Sequence, residues 1–393
     1  MHAESRERPW DGVSGAIELR SRLEQTERAL EERARKNGGP GGGEWESIAG
    51  SDAKAVVPVG APRGVVHFLG GALLGAFPSA SYDVTCRLLS EYANVVVIAT
   101  PYELSLDHGT LAEEAQRNFQ EAWATLRAKY GLPPDLPVHR IGHSLGAKLQ
   151  LLSLCGGMAA ENATVGEVVL LGSGDDAEFA APTDFGSSAS KEDVLRSPPC
   201  ASLTLMAYNN FSAVDTISLI EEVAAELGGK PGLDAGIRFA LGAVPMVARM
   251  AERAAATVGV EFSPGPEETL RMASTSFSAP AKGTLILSFP EDKLDQRDDL
   301  LEAINGGVTS PGPAKAETLP VVARGHLAPV CVTVDVGDAA ANAAAAAGAD
   351  EATQRRARER GADAMPGGAK KLSLGDEAAA KAVAMRVAEN LLL

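Results

Sequence analysis

Residues 138–149 read VHRIGHSLGAKL, and the reading of this stretch decides the fold. Its apolar opening has the character of a strand end, and the LGAKLQLLSLC that follows is helix-forming. Between them lies Gly142-His143-Ser144-Leu145-Gly146, a G-x-S-x-G in the strand–turn–helix setting that gives the pattern a mechanical meaning, the nucleophile elbow. The two glycines let the backbone turn sharply where a β-carbon would clash. The turn lifts the Ser144 hydroxyl above the sheet edge and aims the amides of the helix start toward it. No other G-x-S-x-G occurs in the chain.

Working outward, the segments before the elbow alternate strictly. VVPV (56–59) is a short strand, and GVVHFLGG (64–71) is a strand closing on a glycine pair. PSASYDVTCRLLSEYA (78–93) is helical, and NVVVIATPY (94–102) is a fully apolar strand, as expected where helices cover both sheet faces. GTLAEEAQRNFQEAWATLRAKYG (109–131) is a long amphipathic helix with Leu111, Phe119 and Leu126 on its apolar face, and LPVHRIGHS (136–144) is the next strand. This order predicts an α/β fold, a mostly parallel, doubly wound sheet with helices on both faces.

After the elbow, VGEVVLLGS (165–173) and SLTLMAYNN (202–210) both qualify as the next strand, with a polar, insertion-like segment between them. Residues 213–276 are largely helical and interrupted by Pro231-Gly232 and Pro264-Gly265-Pro266, the pattern of a helical lid. KGTLILSFP (282–290) is again a strand, and ETLPVVARGHLAPVCV (317–332) ends in a loop carrying His326. An Ala/Gly-rich tract at 338–372 reads as a low-complexity loop, and DEAAAKAVAMRVAENLLL (376–393) as a terminal amphipathic helix packed on the sheet. The expected organisation is a charged helical arm with a Gly-rich linker at 1–43, then one α/β domain at 44–393 with an insertion at 156–200.

Composition narrows the function classes. With 36 basic against 52 acidic residues, the net charge of −16 repels phosphate backbones and anionic membranes, which argues against nucleic-acid binding. The four cysteines, Cys86, Cys155, Cys200 and Cys331, show no C-x-x-C spacing, and Cys86 and Cys155 read as buried small hydrophobes of a reducing compartment. The most apolar long stretch, GIRFALGAVPMVARMAERAAA, is broken by Arg238, Pro245, Arg249 and Arg253 and cannot span a membrane. The first residues, MHAESRERPWDG, carry neither a signal core nor clear transit-peptide character, so an intracellular protein is expected. No His/Asp/Glu cluster has metal spacing, and neither a phosphate loop nor a G-x-G-x-x-G after a strand occurs, so no cofactor and no metal are expected.

A serine hydroxyl is a weak nucleophile until a base within hydrogen-bond reach takes its proton and an acid holds that base in the correct tautomer. Where an elbow of this kind carries a triad, the chain order is Ser, Asp or Glu, His. His326, in the Arg324-Gly325-His326 turn, is the only histidine after Ser144 and is the expected base. The acid is expected in Pro290-Glu291-Asp292-Lys293-Leu294-Asp295: Asp292 first, Asp295 as the alternative, Glu291 third. The oxyanion hole is expected from the amide of Leu145 and that of Gly70 or Gly71. His143 reads as structural, His67 as a core histidine with a satisfied hydrogen bond, Asp107 as a helix cap, and Lys148 as a surface or lid contact.

VVHFLGGALLGAFPSASY, VVVIATPYELSLDH and IGHSLGAKLQLL resemble an α/β-hydrolase-like family of plants, algae and cyanobacteria known as domain of unknown function 1350. LTLMAYNNFSA, EFSPGPEETLR, LILSFPEDKLDQ and GHLAPV extend the resemblance in matching order over about residues 45–330. The resemblance implies the α/β-hydrolase fold and, in photosynthetic eukaryotes, often a chloroplast location. It also implies that LTLMAYNN is the strand after the elbow and that 156–200 is an insertion. Ala328 departs from the polar residue usual in the H-L-T-P loop, so contacts there are expected to differ.

The expected activity is hydrolysis of an acyl ester or thioester, with a small and hydrophobic substrate held under the 213–276 helices. The alternative is a non-catalytic α/β-hydrolase scaffold that binds a ligand or protein and keeps the elbow for its fold. A base at 326 unable to reach Ser144 would exclude the enzyme.

Overall fold

The computed structural model describes residues 43–72, 74–155, 199–212, 261–307, 314–320, 322–335, 352–353, 355–356 and 371–392. Its main sheet is built from β1 (Trp45–Ser47), β2 (Lys54–Val56), β3 (Val65–Leu69), β4 (Val96–Ala99), β5 (Val138–His143), β6 (Cys200–Met206), β7 (Thr284–Ser288) and β8 (Ala314–Thr318). The spatial order is β1-β2-β4-β3-β5-β6-β7-β8. β2 runs antiparallel to β1 and β4, and every pairing from β4 through β8 is parallel. A parallel sheet with an antiparallel edge and a Gly-x-Ser-x-Gly elbow at the end of a central strand is the α/β-hydrolase fold.

Two-residue periodicity explains how both faces are covered. Val66 and Phe68 of β3, Val97 and Ala99 of β4, and Leu285 and Leu287 of β7 share one core with α1 (Asp83–Ala93) and the terminal α6 (Glu377–Leu392). Their neighbours Val65, Val96 and Ile98 face the other side, against Phe119, Ala122, Trp123 and Leu126 of α2 (His108–Tyr130). Leu203, Leu205 and Ile286 face α3 (Leu145–Leu152), α4 (Pro266–Thr275) and α5 (Arg297–Gly306). Asp107 caps α2 by accepting from the Thr110 amide at 2.9 Å, as its position before the helix led one to expect. Arg386 on α6 ties the terminal helix to Glu317 of β8 through two hydrogen bonds of 2.7 and 2.8 Å.

Several boundaries differ from the sequence reading. The expected helix over 78–93 breaks at Tyr82 into a single turn, Pro78–Ser81, and α1, because the Tyr82 ring turns inward and is fully buried. The first short strand is Lys54–Val56 rather than 56–59, where Pro58 has no N–H to give a sheet. β6 lies directly beside β5, while the competing stretch 165–173 lies outside the described residues, as do 1–42, 156–198 and 213–260. The last strand of the sheet is Ala314–Thr318, so His326 comes eight residues after the strand's end. β9 (Cys331–Asp335) and β10 (Lys371–Gly375) form a separate antiparallel ribbon, and β10 takes up the last two residues of the expected low-complexity loop. Among the described residues no helix is long and apolar enough to cross a membrane.

Candidate active site

Ser144, Asn209, Asp292 and His326 each follow the carboxyl end of a parallel strand. Open α/β sheets bind their ligands at this edge. Ser144 ends β5 at φ 56° and ψ −122°, a conformation that costs a non-glycine residue on the order of 1–3 kcal/mol. The turn is held by the Ser144 amide, which donates to the Met206 carbonyl at 2.9 Å. A β-carbon at Gly142 would strike the backbone of Gly146 and Ala147, and one at Gly146 the carbonyls of Leu69 and Gly70. The elbow therefore needs both glycines.

His326 Nε2 lies 2.9 Å from Ser144 Oγ. Its Nδ1 lies 3.1 and 3.2 Å from the two carboxylate oxygens of Asp292, whose side chain is fully buried. A carboxylate only accepts, so Nδ1 carries the proton, and Nε2 is left to accept from the serine hydroxyl. Asp292 is fixed in turn by accepting the Leu294 amide at 2.9 Å. The residue before it, Glu291, has φ 63°, and the residue before His326, Gly325, has φ 78°. The Gly325 amide donates to the Pro290 carbonyl at 2.8 Å and fastens the two loops together.

The other two acids are engaged elsewhere. Asp295 accepts from the Arg297 amide at 3.0 Å and stands 3.7 Å from the Arg297 guanidinium, at the start of α5. Glu291 is exposed and 3.8 Å from Arg324.

Leu145 heads α3, and its N–H directly follows Ser144. Gly71 lies against the serine: a β-carbon there would come within 3.1 Å of Ser144 Cβ. Its N–H, however, donates to the Tyr82 hydroxyl at 2.7 Å. The Gly70 carbonyl accepts from the Tyr102 hydroxyl at 2.5 Å. Tyr102 borders a cavity of about 650 Å³, lined by Phe77, Leu104 and Leu111 together with the charged Asp52, Lys54, Glu103 and Glu114.

His143 has a structural role that the geometry spells out. Its Nε2 donates to the His326 main-chain carbonyl at 2.8 Å, since a carbonyl can only accept. Nδ1 must then accept, and it does so from the Tyr82 hydroxyl at 2.8 Å. Burial pushes the His143 pKa down to about 3, so the ring holds a single proton and the direction of the chain is fixed. Gly71, Tyr82, His143 and the His326 backbone thus form one buried line of hydrogen bonds behind the serine.

His67 is the expected core histidine, with Nε2 2.6 Å from Thr100 Oγ1 and its ring stacked on Phe119 at 4.4 Å. Its Nδ1 is buried without a partner. Lys148 is not at the surface, because α3 is buried along its whole length; its ammonium donates to the Pro264 carbonyl at 3.0 Å, a contact with the 213–276 segment as the alternative reading expected. Burial lowers its pKa to about 8, opposed by Glu261.

Two residues of the site escape sequence reasoning. Asn209, just past β6, donates from Nδ2 to Ser144 Oγ at 3.0 Å. The only signal for it was its place directly after the LTLMA strand, at the edge where site residues collect. Tyr82 gave none, since it sits inside a helix-like run.

The sequence matches, over residues 44–169, the family described as Protein of unknown function (DUF1350). That span reaches from β1 through the elbow helix. No protein of curated function matches the sequence. Among solved structures the chain is similar to the esterase rPPE at 13% identity, covering 87% of this chain and 88% of that one with a TM-score of 0.43. A hormone-sensitive lipase from a metagenome library has 12% identity, coverage of 81% and 82%, and a TM-score of 0.39. A structural study of esterases from Rhizomucor miehei supplies another, with 15% identity, coverage of 81% and 89%, and a TM-score of 0.38.

Proposed function

We propose that the chain is a serine hydrolase that cleaves an acyl ester or thioester through Ser144, His326 and Asp292. The single observation that carries this reading is the continuous contact Ser144 Oγ to His326 Nε2 at 2.9 Å and His326 Nδ1 to Asp292 at 3.1 Å. As Ser144 Oγ attacks the acyl carbon, its proton passes to His326 Nε2, and the buried Asp292 carboxylate stabilises the imidazolium that forms. The carbonyl oxygen takes up the displaced electron pair and is met by the Leu145 N–H. The second donor comes from the Gly70–Gly71 loop, where the Gly71 N–H would exchange the Tyr82 hydroxyl for the oxyanion. Collapse expels the alcohol or thiol with the proton from His326, and water repeats the cycle on the acyl-enzyme.

The substrate class that fits is a small acyl compound; the cavity beside Tyr102 sets Phe77, Leu104 and Leu111 among Asp52, Lys54, Glu103 and Glu114, a mixed lining that suits a substrate with both apolar and polar parts. A plastid location, implied by the resemblance, is checked by imaging a fluorescent fusion in a photosynthetic cell.

A fluorophosphonate probe tests the nucleophile without knowledge of the substrate. Wild-type protein is expected to take one covalent adduct, located to Ser144 by peptide mass spectrometry, and Ser144→Ala to take none. Folded wild type that stays unlabelled would favour the non-catalytic scaffold.

A further inference from the structure

We propose that Asn209 is a further catalytic residue, one that acts on the nucleophile's own oxygen rather than on the oxyanion. The inference rests on the reading of Ser144 as the nucleophile. The hydroxyl of Ser144 has one proton, and His326 Nε2 at 2.9 Å is its acceptor. Whatever else approaches Oγ must therefore donate. The side chain of Asn209, at 3.0 Å, can do so only through its NH₂ end, so the proton arrangement follows from the chemistry of the three groups.

The backbone is bent to deliver this donor. Only four non-glycine residues among those described have positive φ: Asn94, Ser144, Ala207 and Glu291. Asn94 ends helix α1, where a left-handed residue is ordinary. Ser144 is the nucleophile, and Glu291 precedes Asp292. Ala207, at φ 48°, turns the chain out of β6 two residues before Asn209. Such a conformation costs an alanine on the order of 1–2 kcal/mol and persists only when its surroundings enforce it. Here the Ala207 amide donates to the Leu287 carbonyl at 2.9 Å, and the Gln296 amide to the Tyr208 carbonyl at 2.9 Å. Gln296 Oε1 accepts from the Asn210 amide at 2.5 Å, and Asn210 Nδ2 donates to the Pro266 carbonyl at 2.8 Å. The segment on either side of Asn209 is thus clamped to β7, to the approach to α5 and to the start of α4. Asn209 itself is 8% exposed. A loop merely passing the site would need none of this.

The donor matters at two moments. When the Ser144 O–H bond breaks and its proton goes to His326, Oγ gains negative charge before its electron pair bonds to the acyl carbon. When the acyl-enzyme is hydrolysed, the bond from Oγ to that carbon breaks, its electron pair returns to Oγ, and His326 gives back the proton. In both steps a hydrogen bond from Asn209 strengthens as charge builds on Oγ, in a site shielded from water. In the acyl-enzyme itself Oγ is an ester oxygen and a weak acceptor, so the contact favours the charged states over the resting ones.

The bimolecular rate of fluorophosphonate labelling reads the first of these moments directly. It needs only attack by Oγ and neither deacylation nor a known substrate. Wild type, Asn209→Ala and Asn209→Asp are compared at the same pH, with thermal melting to verify folding. Loss of a donor to a developing anion is expected to slow labelling about 10- to 100-fold in the alanine variant. The aspartate variant keeps the shape but offers a carboxylate to a developing anion, and is expected to be at least as slow. Folded Asn209→Ala labelling within twofold of wild type would overturn the proposal. If the alanine variant does not fold, Asn209→Asp labelling at the wild-type rate would do the same. An unlabelled wild type removes the hydrolase reading itself, a different result from a labelled wild type with an indifferent Asn209.

Discussion

Strain at Ser144 sets the terms on which the neighbouring residues act. With φ at 56° and ψ at −122°, the residue would relax into an ordinary helix start were the β5–α3 turn not closed by Gly142 and Gly146. A positive φ recurs at Ala207, Glu291 and Gly325, each within two residues of a side chain that meets Ser144 or His326. Among the three downstream acids, geometry selects one. Asp292 is buried against His326 Nδ1, whereas Asp295 caps the turn into α5 beside Arg297. Asp292→Asn keeps the volume but removes the charge that stabilises the imidazolium, and its amide can turn an N–H toward the imidazole. Turnover of an activated ester is expected to fall about 10²- to 10⁴-fold, with melting little changed. Asp295→Asn is expected to stay within a few-fold of wild type. Steady-state kinetics on the two variants checks the assignment, and the reverse ranking would move the acid to Asp295.

The elements matter here as holders of loops. β3, β5, β6, β7 and β8 each end in one contributor: Gly71, Ser144, Asn209, Asp292 and His326 in turn. Their mutual placement is enforced by the buried line from the Gly71 N–H through Tyr82 and His143 to the His326 carbonyl. Tyr82→Phe deletes a single oxygen and leaves two groups unpaired in the interior, the Gly71 N–H and His143 Nδ1. Each such group costs about 1–3 kcal/mol, so a loss of several degrees in melting temperature is expected. The triad distances do not involve the phenol, so labelling of Ser144 is expected to persist within about tenfold; that bound follows from the modest net worth of one hydrogen bond. Strands β3 to β5, helix α2 and the elbow were legible in the sequence because two-residue alternation, apolar runs and the G-x-S-x-G pattern are local signals. That Ser144, His326 and Asp292 lie together was legible from the elbow motif, the Ser–Asp–His chain order and the short distance of Asp292 past its strand. Tyr82 and Asn209 were not, because what recruits them is contact with residues 61 and 65 positions away. The burial of Lys148 was hidden for a related reason: neighbouring elements bury every face of α3, and no periodicity within eight residues reveals that.

Taken whole, the molecule carries a high negative charge outside and uncharged histidines inside, and the two respond oppositely to acid. His67, His108, His139 and His143 are all buried. Burial lowers each pKa, to about 3 for His108 and His143, to about 4 for His139, and well below the usual value for His67. A second contribution comes from a nearby cation in three of them: Arg140 for His67, Lys148 for His108 and Lys282 for His139. In the unfolded chain each returns to a pKa of about 6.5. Above that pH neither state binds the protons and the histidines add no pH dependence. Below it the unfolded chain takes up protons that the folded chain refuses, so stability falls as pH drops from about 6.5 toward 4. The limiting slope is about 1.4 kcal/mol per pH unit for each histidine. The net charge of −16 works the other way, since acid relieves self-repulsion of the folded state, but salt screens that effect and leaves buried groups nearly untouched. Melting followed from pH 7 to pH 4.5 at high salt is therefore expected to show a steady loss of stability. Calorimetric unfolding at pH 5 in two buffers of different ionisation heat should register an uptake of roughly two to four protons. An uptake below one would mean that these histidines are already charged in the folded chain, and the line from Tyr82 through His143 to His326 would have to be redrawn.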